Sequence, residues 1–199
     1  MTEMQGCEIR SFSVCLQPQM VSINLSPDLQ IEENLVAELA RLGIRYLSRL
    51  SDVQAKRAIA PSNLIADLTR QPSSRVRAAL ISLFLAQPEY AKYVLAALKQ
   101  VNEKEAITLK FFYAAATLLQ RKYADKFLTG KVPNLPDLFL RELGISGVSI
   151  EEQLSKLEKK HQEVSGQYIN WKGSYENAAR HLLRQWESEK RWNESLQKR

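Results

Sequence analysis

Apolar residues recur at three- and four-residue steps through most of this chain. Leu35, Leu39, Leu42, Tyr46 and Leu50 form the first such stripe, and the spacing predicts an amphipathic helix with one buried face. Ser26-Pro27-Asp28 marks its start, combining a serine N-cap, a proline in the first helical position and an early acid. Gly43 falls inside the stripe, at a modest cost to the helix. Ahead of it, residues 1–25 carry only short alternations, Glu8 to Leu16 and Met20 to Leu25, on either side of Gln17-Pro18-Gln19. They read as a tail or a small hairpin.

Ser51-Asp52 looks like a second helix start, and Pro61-Ser62-Asn63 and Pro72-Ser73-Ser74 each break the chain after it. Val76, Ala79, Leu80, Leu83 and Phe84, flanked by Ala78, Ile81 and Leu85, then predict a helix that is apolar around most of its circumference. Such a helix belongs at the centre of a core. Pro88 can open the next one, with Tyr90, Val94, Leu95 and Leu98 facing inward. Asn102 and Glu105 have capping-box spacing at the head of a long helix through Phe111, Ala115, Leu118, Leu119 and Tyr123 to about Leu128, with Gly130 as its stop. Pro133-Asn134-Leu135-Pro136 leads to a short helix ending at Gly144, and Ser149 with Glu152 repeats the capping spacing. Two last helices are expected, over about 150–164 and 175–197. In the second, Tyr175, Ala179, Leu182 and Trp186 pack inward, while Trp192 and Leu196 form a separate pair among charged residues, so Trp192 is expected either to be exposed as an anchor or, if this end bends back, to cover the helical body.

No convincing strand pattern occurs after residue 25, and the fold class is all-α. The expected architecture is an irregular multi-helix bundle of antiparallel hairpins, with a HEAT-like reading open for residues 62–129, although these hairpins are shorter and less alike than such repeats. The organisation predicted is a tail or hairpin over 1–25, a helical core domain over 26–145, and a C-terminal helical hairpin over 146–199 packing on it.

Composition narrows the function. A chain of 199 residues, 45% hydrophobic, can bury a core without metal or disulfide staples. Cys7 and Cys15 have no histidine nearby, so they offer no zinc framework, and a reducing, cytoplasmic setting is expected. The N-terminus has no signal-peptide pattern. The longest apolar stretches, Ala78 to Ala86 and Phe111 to Leu119, fall far short of the roughly 20 residues of a membrane helix, so no membrane association is expected. The net charge of +6 comes from 28 basic and 22 acidic residues without long like-charge blocks. It permits nucleic-acid binding without requiring it.

Arg41, Arg45 and Arg49 recur at every fourth residue, with Lys56 and Arg57 beyond them. On one helix they would form a basic ridge suited to a phosphate backbone or an acidic partner. Glu38 lies on the same side and can pair with Arg41 or Arg45, which would make the ridge a salt-bridged solvent face instead. His161, within Glu158-Lys159-Lys160-His161, reads as solvent-facing, and His181 as a helix-boundary or surface residue. Neither has the upstream arginine of HEPN-type ribonucleases. Gly173-Ser174 resembles the opening of a nucleotidyltransferase signature, but no paired acids come after it. There is no P-loop, dinucleotide-binding turn, Gly-x-Ser-x-Gly elbow or His-Glu-x-x-His. The acid pairs Glu32-Glu33 and Glu151-Glu152 fall at helix starts, where the helix dipole accounts for them. The reading favoured is a non-enzymatic helical module, an adaptor, regulator or complex subunit, that binds another protein or a second copy through Trp192 and Leu196. The alternatives are a nucleic-acid-binding regulatory or defence protein using the basic residues, and an enzyme without a recognised motif. No catalytic, cofactor or metal residue is indicated, nor any small-molecule ligand.

Overall fold

Side-chain caps and glycine turns set several of the helix boundaries among the described residues. The computed structural model describes residues 27–47, 58–127 and 133–197. Among the described residues are α1 (Pro27–Arg41), α2 (Pro61–Arg70), α3 (Ser74–Ala86), a 3₁₀ segment (Pro88–Tyr93), α4 (Val94–Leu98), α5 (Glu103–Lys122), α6 (Ala124–Phe127), α7 (Ile150–Ser165) and α8 (Trp171–Gln197), and no strand. The class is all-α. The N-terminal 1–25 segment, the Ser51-Asp52 start and the Gly130 stop lie outside the described residues.

Asn102 and Glu105 close a full capping box on α5, at 2.9 and 3.0 Å. Ser149 caps α7 by accepting from the Glu152 amide, and the Glu152 carboxylate accepts from the Val148 amide. The first helix is shorter than its apolar stripe predicts. It ends at Arg41, because Gly43 takes φ +87° and the Gly43 and Ile44 amides reach back to the Ala40 and Leu39 carbonyls. This is a Schellman stop, in which only glycine is at ease, and Leu39 and Ile44 at its two ends are both fully buried. A similar pair of bonds with Gly144 at φ +69° ends the segment after Pro136, which is a turn rather than the expected helix. The long helix α5 stops at Lys122, with Tyr123 as its C-cap, short of Leu128. Leu95 faces solvent, not the core, while Tyr90 and Val94 are buried as expected.

α3 occupies the centre, contacting α1, α2, the 3₁₀ segment, α5 and α8. Val76, Ala79, Leu80, Leu83 and Phe84 are all buried. Phe84 meets Tyr113 of α5 edge to face at 4.9 Å, and Tyr113 meets Phe139 at 5.5 Å. Buried Gln120 holds the turn before Phe139, donating to the Pro133 carbonyl at 3.1 Å and accepting from the Leu135 amide at 2.7 Å. These bonds give a buried side chain and a loop backbone their partners at once. α7 packs on α5, and α8 packs on α3, α5 and α7. At that junction Lys122 pairs with Glu176 at 2.9 Å and with Glu151, which also pairs with Lys172 at 2.8 Å. No described helix is long and apolar enough to cross a membrane.

Candidate functional site

The basic residues singled out in the sequence do not share one helix. Arg41 is the last residue of α1, and its guanidinium grips the fully buried Glu38 carboxylate with two bonds, of 3.0 and 2.6 Å. That hydrogen bond and charge raise the Arg41 pKa. Arg45 lies beyond the glycine turn and meets Glu189 of α8 at 3.6 Å. Arg49, Lys56 and Arg57 lie outside the described residues. The physical reason for the difference is Gly43, which reverses the chain where a continuous helix would have carried Arg45 one turn above Arg41.

The α8 end is as the sequence suggests. Tyr175, Ala179 and Leu182 are fully buried and Trp186 is partly so. Trp192 and Leu196, one helical turn apart, are 67% and 53% exposed. Both lie on a helix that runs on to Gln197.

His161 is not solvent-facing. It is 2% exposed, stacked on Phe111 at 4.3 Å and on Trp171 at 3.8 Å, with Nδ1 2.5 Å from the Tyr175 hydroxyl. Burial, and secondarily the charge of Arg77, lower its pKa to about 4. Leu154, Leu157 and His161 continue one buried stripe of α7, and the charged run before His161 belongs to the other face. His181 is exposed, within α8, its ring stacked on Tyr46 at 5.3 Å. Gly173 and Ser174 form the first turn of α8, where the Asn170 side chain accepts from the Gly173 amide at 2.6 Å and the Ser174 hydroxyl donates to the Asn170 carbonyl.

A cleft of about 400 Å³ opens between the start of α3 and α8, with Arg75, Arg77, Tyr46, Trp171, Asn177 and His181 in its lining. A second, of about 350 Å³, lies on the other side of Arg77, Gln167 and Trp171 and reaches Arg70, Lys104 and Glu105. The Tyr46 wall is fixed by a chain of hydrogen bonds, Tyr46 to Ser82 at 2.8 Å and Ser82 to the Ala178 carbonyl at 3.1 Å. Arg75 donates to the Tyr46 carbonyl at 3.2 Å and Arg77 to the Gln71 carbonyl at 2.6 Å. No cluster of three or more His, Cys, Asp or Glu side chains able to hold a metal ion occurs among the described residues.

Comparison with protein families, with curated proteins and with solved structures finds no match for the chain. Its surfaces must therefore be read from their own chemistry. Sequence reasoning anticipated the exposure of the α8 pair, because a helical stripe that ends before the helix does leaves its own mark. It missed the Arg75–Arg77 cleft, whose walls come from segments far apart in the chain. The local signal was there: two arginines within one turn of a helix otherwise apolar nearly all round.

Proposed function

We propose that the protein is a non-enzymatic helical module that binds another protein, as an adaptor, regulator or complex subunit, through the exposed end of α8. The observation that carries this reading is the exposed pair Trp192 and Leu196, set on one side of a helix whose inner stripe ends at Trp186. Two large apolar side chains held in water gain the burial of their surface on docking, and tryptophan is enriched among interface hot spots. The basic residues support a nucleic-acid contact less well, because Arg41 and Arg45 already face the carboxylates of Glu38 and Glu189.

The test compares the full chain with Trp192→Ala/Leu196→Ala, in light scattering for self-association and in affinity capture from the native host. The double variant is expected to keep its thermal stability and to lose the dimer or the captured protein. A chain that is monomeric at high concentration, and whose captured proteins the double variant retains, overturns the reading. Salt-steep binding to a nucleic-acid duplex by this same variant would move the function to the basic residues.

A further inference from the structure

The cleft between α3 and α8 has the composition of an anion site. Arg77 is half-buried and Arg75 exposed, and neither takes part in any ion pair among the described residues. Each guanidinium has five N–H donors, and each gives one bond to a backbone carbonyl, Gln71 for Arg77 and Tyr46 for Arg75. Half-burying a cation without a carboxylate beside it is costly, and such charges are ordinarily paired. Desolvation alone acts on Arg77, lowering its pKa from the ordinary arginine value. No acidic residue is in the lining, whereas the neighbouring cleft has Glu105, which with Asp67 engages Arg70. Further polar groups converge here: the imidazole of His181 and the carboxamide of Asn177, whose oxygen is engaged by Arg180 at 2.7 Å, leaving its amide nitrogen to donate. The remaining walls are largely apolar and aromatic, from Tyr46, Phe112 and Trp171. About 400 Å³ suits a small molecule with a polar head and an apolar body.

The geometry points to this cleft as a binding site for a small organic anion, a phosphate monoester or carboxylate on a flat apolar body, with the oxyanion on Arg77 and Arg75 and the body against Tyr46 and Trp171. Planar guanidinium forks match both oxyanions. The inference stands apart from the docking role of α8, since Trp192 and Leu196 do not line the cleft.

Calorimetric titration of the full chain at low salt, with phenyl phosphate and benzoate as anionic probes and benzyl alcohol as the neutral one, tests it. At least one anionic probe is expected to bind saturably and more weakly as salt rises, and benzyl alcohol is not expected to bind. Arg77→Gln should weaken the anion by about tenfold or more, as loss of a charged hydrogen-bond donor does. Arg77→Lys should retain part of the affinity. Arg75→Gln removes an exposed side chain, so it provides a folded variant in which affinity must also fall. The inference is overturned if neither anion binds, if benzyl alcohol binds as tightly as they do, or if Arg75→Gln and a folded Arg77→Gln bind unchanged. Which anion binds tells whether the head is phosphate or carboxylate.

Discussion

His161 carries no charge at neutral pH because the rings of Phe111, Phe112, Trp171 and Tyr175 and a buried helix face leave no room for hydrating an imidazolium. Its folded pKa of about 4 lies below the value of about 6.5 for a free histidine. As pH falls, the unfolded chain takes up this proton first, so the contribution to stability is full above about pH 6.5 and is lost progressively toward pH 4. The size of the loss is up to about 3 kcal/mol. Urea melts between pH 7 and pH 4 should show it, and His161→Phe, which can keep the stack on Phe111 and Trp171, should flatten that part of the curve. Equal slopes for the two proteins would place the proton uptake elsewhere. In the sequence this residue was hidden by its neighbours. Glu158, Lys159 and Lys160 announce a wet face, and only the step from Leu154 and Leu157 shows that His161 has rotated away from it.

At the scale of elements, the chain's helices are placed by polar clamps as much as by apolar stripes. Gln185 of α8 shows this: its carbonyl oxygen accepts the Arg45 and Tyr46 amides at 2.8 and 3.1 Å, and its nitrogen donates to the Gly43 carbonyl at 2.8 Å. One side chain thus satisfies the turn that ends α1. Gln185→Ala leaves those groups without partners and is expected to cost about 1 to 3 kcal/mol in denaturant titration. A cost under a few tenths would mean that water replaces the amide freely. Capping serines, the Asn102 box and the α8 stripe could be read locally, since their partners lie within four residues. The Gln185 clamp could not, because its partners are some 140 positions away. Gly43 was readable only as a modest cost inside a helix, and its role as a stop goes with the burial of Ile44 beyond it.

For the whole molecule, α3 touches α1, α2, the 3₁₀ segment, α5 and α8, and a single apolar cluster extends from Leu35 to Leu183. Truncating Leu83 or Phe84 to alanine should therefore cost about 2 to 5 kcal/mol each. Far-ultraviolet dichroism and tryptophan fluorescence, the latter reporting from α8, should fall in one coincident transition in the parent chain and at lower denaturant in the variants. Losses below about 1 kcal/mol, or two separated transitions, would show that α3 is not the common core. The two arginines at its start were visible in the sequence as basic residues on an apolar helix, but the cleft they line exists only once α8 is laid across them. That crossing also imposes an order on synthesis. Ser82 of α3 donates a hydrogen bond from its hydroxyl to the Ala178 carbonyl, 96 residues later. At about 5 to 20 residues per second, a ribosome takes roughly 5 to 20 s to make the stretch between them. For that interval the side of α3 that α8 covers in the folded chain has no α8 to cover it.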